Sequence, residues 1–314
     1  MIVTLTPNPS VDRTVEIDAL VRGEVLRATG AHVDPGGKGI NVSRALAGHG
    51  IATRAVLPVG GSVGAQLLIL LEPLGIEVVT VPITGDVRAN VSVVEPDGTV
   101  TKLNEPGPAL SAAESLALVT RTCAAASDGA RWVVAAGSLP PGADVGLFAG
   151  LGTALRSYGV PFVVDTSGEP FARALEAGPD LVKPNREELA EVSGLPVTTV
   201  GEAVTAARSL LGRGAKAVLA SLGADGAVLV EGAQAWYGES PVDSPVSSVG
   251  AGDAALAGFL AGGGSGAEAL REALAWGAAA VRLPGSRMPG PRDLDRAAVH
   301  VAENVPSDRD LKGQ

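Results

Sequence analysis

Short apolar runs alternate along this chain with longer stretches in which hydrophobic residues recur every three to four positions. The short runs, each bounded by Gly, Pro, Asn or a charge, read as buried strands at residues 2–5, 53–59, 78–82, 132–136, 162–165, 181–183, 217–221 and 227–231. The longer stretches predict helices over 39–48, 64–74, 111–126, 146–158, 186–193, 200–212, 253–261 and 267–281. Strands and helices in alternation are the pattern of βαβ units, with crossovers long enough to bring strands parallel in one α/β sheet.

Two segments, 11–34 and 88–105, break that rhythm. They alternate polar with apolar residues, as in Thr14-Val15-Glu16-Ile17-Asp18 and Asn90-Val91-Ser92-Val93-Val94-Glu95. A period of two means strands with one wet face, and Pro96-Asp97-Gly98 supplies a hairpin turn. A small sheet standing off the main body is therefore expected, serving as a lid or pairing with a second copy. One domain is expected over 1–302, followed by a charged, Pro- and Ser-bearing tail, 303–314, that frays.

Composition narrows the function classes. Of 314 residues, 46% are hydrophobic and only 3% aromatic, so Ala-rich helices packed on Val-rich strands form the core. The net charge of −10 argues against a nucleic-acid partner, and any anionic substrate must be met by a few local cations. The lone cysteine, Cys123, lies in an apolar run and reads as a small buried hydrophobe of a reducing compartment. The N-terminal stretch reads as a strand and no run approaches the ~18 apolar residues of a membrane span, so a cytoplasmic location without membrane partners is expected.

Chemistry concentrates in a few turns. Ser248-Val249-Gly250-Ala251-Gly252-Asp253 runs into an apolar helix. Glycines let the backbone approach a ligand, and the unpaired N–H groups of a first helical turn suit a phosphoryl group in transfer. Asp253 can accept a proton from a hydroxyl held beside that anion site, although dipole electrostatics alone would also explain an Asp there. The string fits a loose dinucleotide pattern as well, but no strand with a ribose-binding acid follows.

Asp34-Pro35-Gly36-Gly37-Lys38-Gly39-Ile40-Asn41 opens a second helix and is not a P-loop, because Gly39 follows the lysine. Lys38 is a candidate for an anionic ligand and Asn41 for sugar hydroxyls, against the plain reading of a helix start with a solvated lysine. In Lys183-Pro184-Asn185-Arg186-Glu187-Glu188, Asn185 and Glu188 have capping-box spacing, and a place beside nucleotide phosphates and metal is the sharper reading. Ser221-Leu222-Gly223-Ala224-Asp225-Gly226 is a tight hairpin or a nucleotide-contacting loop. Asp12, just past the first strand, sits where open α/β sheets bind ligands. Arg88 and Asn90 open the second lid segment, with Arg88 a candidate to grip a phosphate bidentately. His32, His49 and His300 are scattered, so any metal is expected to be Mg²⁺ arriving with a nucleotide.

Five of these strings occur in one order: Asn8-Pro9-x-x-Asp12, Gly36-Gly37-Lys38-Gly39-x-Asn41, Gly60-Gly61-x-x-Gly64, Lys183-Pro184-Asn185-x-x-Glu188 and Gly250-Ala251-Gly252-Asp253. Together they resemble the PfkB (ribokinase-like) carbohydrate kinases over nearly the whole chain. Leu103-Asn104-Glu105-Pro106-Gly107-Pro108, Gly137-Ser138-Leu139-Pro140-Pro141-Gly142 and Asp165-Thr166-Ser167-Gly168 look most like bacterial 1-phosphofructokinases, with tagatose-6-phosphate kinases close behind.

The resemblance implies a three-layer α/β/α sandwich with a mostly parallel central sheet and a small β lid, often also the contact of a homodimer. It implies ATP and Mg²⁺ as cofactors and a ketose phosphate as acceptor: fructose 1-phosphate, or tagatose 6-phosphate or fructose 6-phosphate. It implies Asp253 as base, with the amides of Gly250, Ala251 and Gly252 as anion hole. Asp12, Gly36, Gly37, Asn41 and Asn90 would hold the sugar, and Lys38, Arg88 and Ser138 its phosphate. Lys183, Asn185 and Glu188 would organise the nucleotide, Glu188 reaching the metal through water, and Ser221, Gly223 and Gly226 would line the nucleotide site. Ala254-Ala255 and Leu283-Pro284-Gly285-Ser286 depart from the family pattern. A non-catalytic sugar-phosphate sensor on the same fold is the remote alternative.

Overall fold

The computed structural model describes residues 1–312. In chain order its elements are β1 (Ile2–Leu5), β2 (Ser10–Glu16), β3 (Gly30–Gly36), α1 (Lys38–Gly48), β4 (Thr53–Val59), α2 (Gly61–Leu71), β5 (Glu77–Pro82), β6 (Arg88–Val94), β7 (Val100–Leu103) and α3 (Ala112–Ser127). There follow β8 (Trp132–Ala136), α4 (Leu147–Leu155), β9 (Phe162–Asp165), α5 (Gly168–Leu175), β10 (Leu181–Val182), α6 (Arg186–Ser193), α7 (Val200–Gly212) and β11 (Ala217–Ser221). The last are β12 (Ala227–Glu231), β13 (Gln234–Glu239), α8 (Ala251–Ala261), α9 (Gly266–Val281) and β14 (His300–Ala302).

The main sheet has the order β14-β13-β12-β11-β10-β9-β8-β1-β4-β5. It is parallel from β11 to β5, and β12, β13 and β14 extend it antiparallel. Its central strands are covered on both faces, which is why they are mostly apolar instead of alternating, with the buried Thr4 and Thr53 hydroxyls both paired to Ser43. Side chains still divide by the pleat. Val3 and Leu5, Val133 and Ala135, and Phe162 and Val164 pack with α3, α4, α5, α6 and α7. Ile2, Val134, Ala136 and Val163 face α1, α8 and α9. Three layers result, as the family resemblance implies.

The two alternating segments form a separate sheet, β3-β2-β6-β7, with β2 and β6 parallel and the other pairs antiparallel. Every residue of β6 is half-exposed. Gly36 ends β3 against β2, where a Cβ would collide with the Asp12 carboxylate, so this position requires glycine.

Four expectations are corrected. The helices expected at 64–74 and 146–158 break into 3₁₀ turns, Glu72–Leu74 and Arg156–Tyr158, each closed by a left-handed glycine, Gly75 or Gly159. Helix α5 was not foreseen; it is short and carries Pro170 in its first turn. Strands β13 and β14 were not foreseen: β13 mixes polar and apolar residues without a clear period, and β14, at the sheet edge, is only three residues long. The tail does not fray through residue 312. Leu311 is buried and donates its amide to the Thr198 carbonyl, Val200 donates to Arg309, and Arg309 pairs with Glu239 at 2.8 Å. Its last two residues, 313–314, lie outside the described residues.

Candidate active site

The carboxyl ends of the parallel strands converge on one edge of the sheet, and the candidate residues follow them directly: Asn8 after β1, Ser138 after β8, Asp165 closing β9, Lys183 after β10 and Ser221 closing β11. Helix α8 points its amino terminus at the same edge. Gly250 precedes it in the left-handed region (φ 77°), a conformation that favours glycine. The Ala251 amide turns back to the Ser248 carbonyl at 3.3 Å. Of the three amides proposed for an anion, that of Ala251 is thus already engaged within the turn. At Gly252 a Cβ would lie 3.3 Å from Lys183 Nζ, so its absence lets the ammonium approach the helix terminus.

Beneath this terminus is a buried charge cluster. Asp165, fully buried, meets Lys38 Nζ at 2.7 Å through Oδ1 and Lys183 Nζ at 3.0 Å through Oδ2. Burial opposes the Asp165 charge, but Lys183 and Lys38 outweigh it and hold the carboxyl below its ordinary range. Burial likewise opposes the Lys38 charge, and Asp165 and Glu188, whose Oε1 is 3.7 Å away, reverse that and keep it protonated. The sequence grouped Lys38 with the sugar's phosphate; the structure sets it among Asp165, Lys183 and Glu188.

Asp253 is buried in the first turn of α8 and accepts a hydrogen bond at Oδ2 from Asn41 Nδ2 at 2.9 Å. Its pKa rises to about 6, first through burial and then through the Asp165 charge, opposed by Lys38, the Asn41 hydrogen bond and Lys183. A carboxylate poised there can exchange a proton near neutral pH.

The sugar-side candidates meet at the root of the lid. Asp12 Oδ1 accepts from Ser10 Oγ at 2.6 Å and Asn90 Nδ2 at 2.8 Å, a pairing set by the β2–β6 register that places Asp12 opposite Asn90. Arg88 spends Nη1 on the Glu105 carbonyl at 2.9 Å and Nη2 on the Asn8 carbonyl at 3.1 Å. Its guanidinium thus fastens β6 to the loops beside it. Asn8 Nδ2 donates to the Pro106 carbonyl at 3.0 Å and to Ser138 Oγ at 3.3 Å, so Ser138 belongs to the same cluster.

On the nucleotide side, Asn185 and Glu188 form the reciprocal capping box of α6: Asn185 accepts from the Glu188 amide at 2.7 Å and Glu188 Oε2 from the Asn185 amide at 2.9 Å. Ser221 bridges Asn185 across the sheet, and its loop turns through a 3₁₀ segment, Gly223–Asp225, to Gly226. Asp225, buried in that loop, accepts the Lys312 amide at 2.7 Å and so ties the loop to the tail. Among the described residues no group of three or more His, Cys, Asp or Glu could hold a metal ion. Glu188 has one oxygen in the cap and the other near Lys38, which fits a metal carried by phosphates and water and touched by the protein only indirectly.

Sequence reasoning missed the role of Asp165, and also Arg44 and Asp34. The rule that picked Asp12, a carboxylate at the carboxyl end of an apolar strand, would have found Asp165. Arg44 gives no such signal, since an arginine at mid-helix reads as solvated.

This geometry, a helix terminus with a buried carboxylate and two lysines under a small β lid, is that of an enzyme handling phosphoryl groups. Residues 5–292 match the model of the pfkB family carbohydrate kinases, and the chain belongs to that family. It is 38% identical to a 1-phosphofructokinase of Haloferax volcanii over 308 residues, covering 96% of this chain and 97% of that one. It is 34% identical to the ATP-dependent 6-phosphofructokinase isozyme 2 of Escherichia coli over 307 residues, 96% and 99% of the two chains. A crystal structure of Escherichia coli phosphofructokinase-2 with substrates and products superposes with a TM-score of 0.87 at 34% identity, covering 93% of this chain and 96% of that one.

Proposed function

We propose that the protein transfers the γ-phosphoryl group of ATP to the 6-hydroxyl of fructose 1-phosphate, giving fructose 1,6-bisphosphate and ADP. Asp253 carries this reading. It is a buried carboxylate with a pKa near 6, hydrogen-bonded at one oxygen by Asn41 and set in the first turn of a helix that opens on Gly250 and Gly252. The hydroxyl oxygen forms a bond to the γ-phosphorus as the bond to the β-phosphate oxygen breaks, and the hydroxyl proton passes to Asp253 Oδ1. Gly250, Gly252, Lys38 and Lys183 stabilise the charge on the transferring group, in a cluster too dry to screen it. Asn185 and Glu188 would hold Mg²⁺ through water, and the metal would supply charge neutralisation to the nucleotide phosphates. Asp12, Asn90 and Asn41 orient the sugar, with Arg88 and Ser138 beside its phosphate, and the nucleotide lies along Ser221, Gly223 and Gly226.

Relatives named 1-phosphofructokinase and 6-phosphofructokinase isozyme 2 both align over most of the chain, so fructose 6-phosphate is the second acceptor to test, with tagatose 6-phosphate. Initial rates with Mg·ATP on the three ketose phosphates decide among them; fructose 1-phosphate should give the highest kcat/KM, and no turnover on any would refute the reading. Asp253→Asn should lower kcat at least ~10²-fold, and near-normal turnover would remove Asp253 from the role of base. The half-exposed lid sheet, with its uncovered edge strand β7, is further proposed as the contact of a homodimer.

A further inference from the structure

Arg44 lies one turn beyond Asn41 on the same face of α1, and its side chain is only 10% exposed. Its Nη1 donates to Asn41 Oδ1 at 3.0 Å and to the Pro35 carbonyl at 3.1 Å, with Ser286 Oγ at 3.5 Å; Nη2 stands 3.6 Å from Asp34 Oδ1. Asn41 is itself buried and turns its other end, Nδ2, to Asp253. An amide is polar at both ends and can be reversed by half a turn about its last bond. Here the two neighbours decide. A guanidinium can only donate, and an ionised carboxylate can only accept. Reversed, Asn41 would set its oxygen against the carboxylate of Asp253 and its NH₂ against the guanidinium, losing both bonds in a place closed to water.

We propose that Arg44 is a positioning residue for phosphoryl transfer: it locks the Asn41 amide with its N–H toward Asp253, which fixes the carboxylate rotamer and leaves Oδ1 for the acceptor hydroxyl. The same guanidinium is anchored by Asp34 and Pro35, where lid strand β3 returns to the body, so the lock is set only when that strand is seated. The inference rests on Asp253 as base, and it extends that reading to a residue that reaches the base through Asn41.

The test is a double-mutant cycle on kcat and KM with Mg·ATP and the best ketose phosphate, using the wild type, Arg44→Met, Asn41→Ala and the double variant. Wild-type turnover and its loss in Asp253→Asn, measured first, establish the underlying reading separately. Arg44→Met is expected to lower kcat about 10- to 100-fold while KM for ATP stays within about twofold, because positioning of the base and not nucleotide binding is lost. In the Asn41→Ala background the same substitution should change kcat less than about threefold, since the amide it holds is gone. Arg44→Lys, which keeps one donor, should recover part of the loss, and should serve in place of Arg44→Met in both backgrounds if the latter does not fold. Equal losses in the two backgrounds would overturn the proposal and leave Arg44 as a fastener of the lid strand. So would a kcat within twofold of the wild type in Arg44→Met.

Discussion

The two sheets meet at the candidate site and are built differently. All residues of β1 and β9 are buried, whereas all residues of β6 in the lid are half-exposed. The difference shows in how each sheet holds an aspartate. Asp165, at the end of β9, is surrounded by core and is satisfied by two full charges, Lys38 and Lys183. Asp12, in lid strand β2, is satisfied at Oδ1 by the neutral donors Ser10 and Asn90. A charge at the end of a buried strand has no water to fall back on, so it must be matched by charge, and each field in the cluster is strong. In the proposed reaction the body would therefore set the electrostatics of transfer, and the lid the fit of the sugar.

The largest effect should come from breaking the body's side of this contrast. Asp165→Asn leaves two ammonium groups facing each other without their shared counter-ion. Removing one partner of a buried ion pair costs about 3–5 kcal/mol, so the urea midpoint should fall steeply. kcat should drop by ~10²-fold as the lysines move apart. The residual activity should keep its acid limb at lower pH than the wild type, because the Asp165 charge is one of the two main causes that raise the Asp253 pKa. A variant of normal stability and turnover would show that the lysines do not need Asp165.

Asp253 gives the next largest effect, with opposite signs for activity and stability. Its folded-state pKa, about 6, lies above that of an ordinary aspartate. The folded protein thus holds this proton more tightly than the unfolded chain, and the contribution to stability is complete below about pH 4 and lost as pH rises through about 6. Asp253→Asn removes a group that is ionised at a cost above that pH. The variant should exceed the wild type in stability by about 1–3 kcal/mol at pH 8, with the gap closing toward about pH 4, while losing its activity. Paired thermal melts across that range are the measurement; a gap independent of pH would place the Asp253 pKa in the ordinary range. In the wild type, kcat should rise with pH through about 6 as the carboxylate forms.

Most of the fold was legible in the sequence because its central strands are mostly apolar and its helices amphipathic, as at β8 and α7. The lid was legible by its period of two. The site was legible where a backbone need fixed the residue type, as at Gly36 and Gly250, or where one motif supplied both partners, as in the Asn185–Glu188 capping box. What stayed hidden depends on distant parts of the chain. Lys38 and Asp165 are 127 residues apart, and Asn41 and Asp253 are 212 apart. No local pattern says that such side chains meet. The packed tail was hidden for the same reason: it read as solvated, but the Arg309 guanidinium pairs with Glu239 and the Lys312 backbone amide donates to Asp225.

The smallest effect on stability should come from the outer surface of the lid, where the contrast with the body can be sharpened by matched substitutions. Leu103 on edge strand β7 and Leu116 on α3 are exposed to nearly the same degree, 62% and 66%. Neither packs in the core, so Leu103→Lys and Leu116→Lys should each change stability by no more than about 0.5 kcal/mol. They should differ in association. A charge on an open strand edge is the device by which proteins block edge-to-edge pairing, so Leu103→Lys should shift a dimer toward monomer in sedimentation velocity at micromolar concentration. Leu116→Lys, on a helix whose backbone bonds are internally satisfied, should leave the dimer intact. The reverse result would move the contact from the lid to the body, and the lid's wet face would then be explained by its work over the sugar alone.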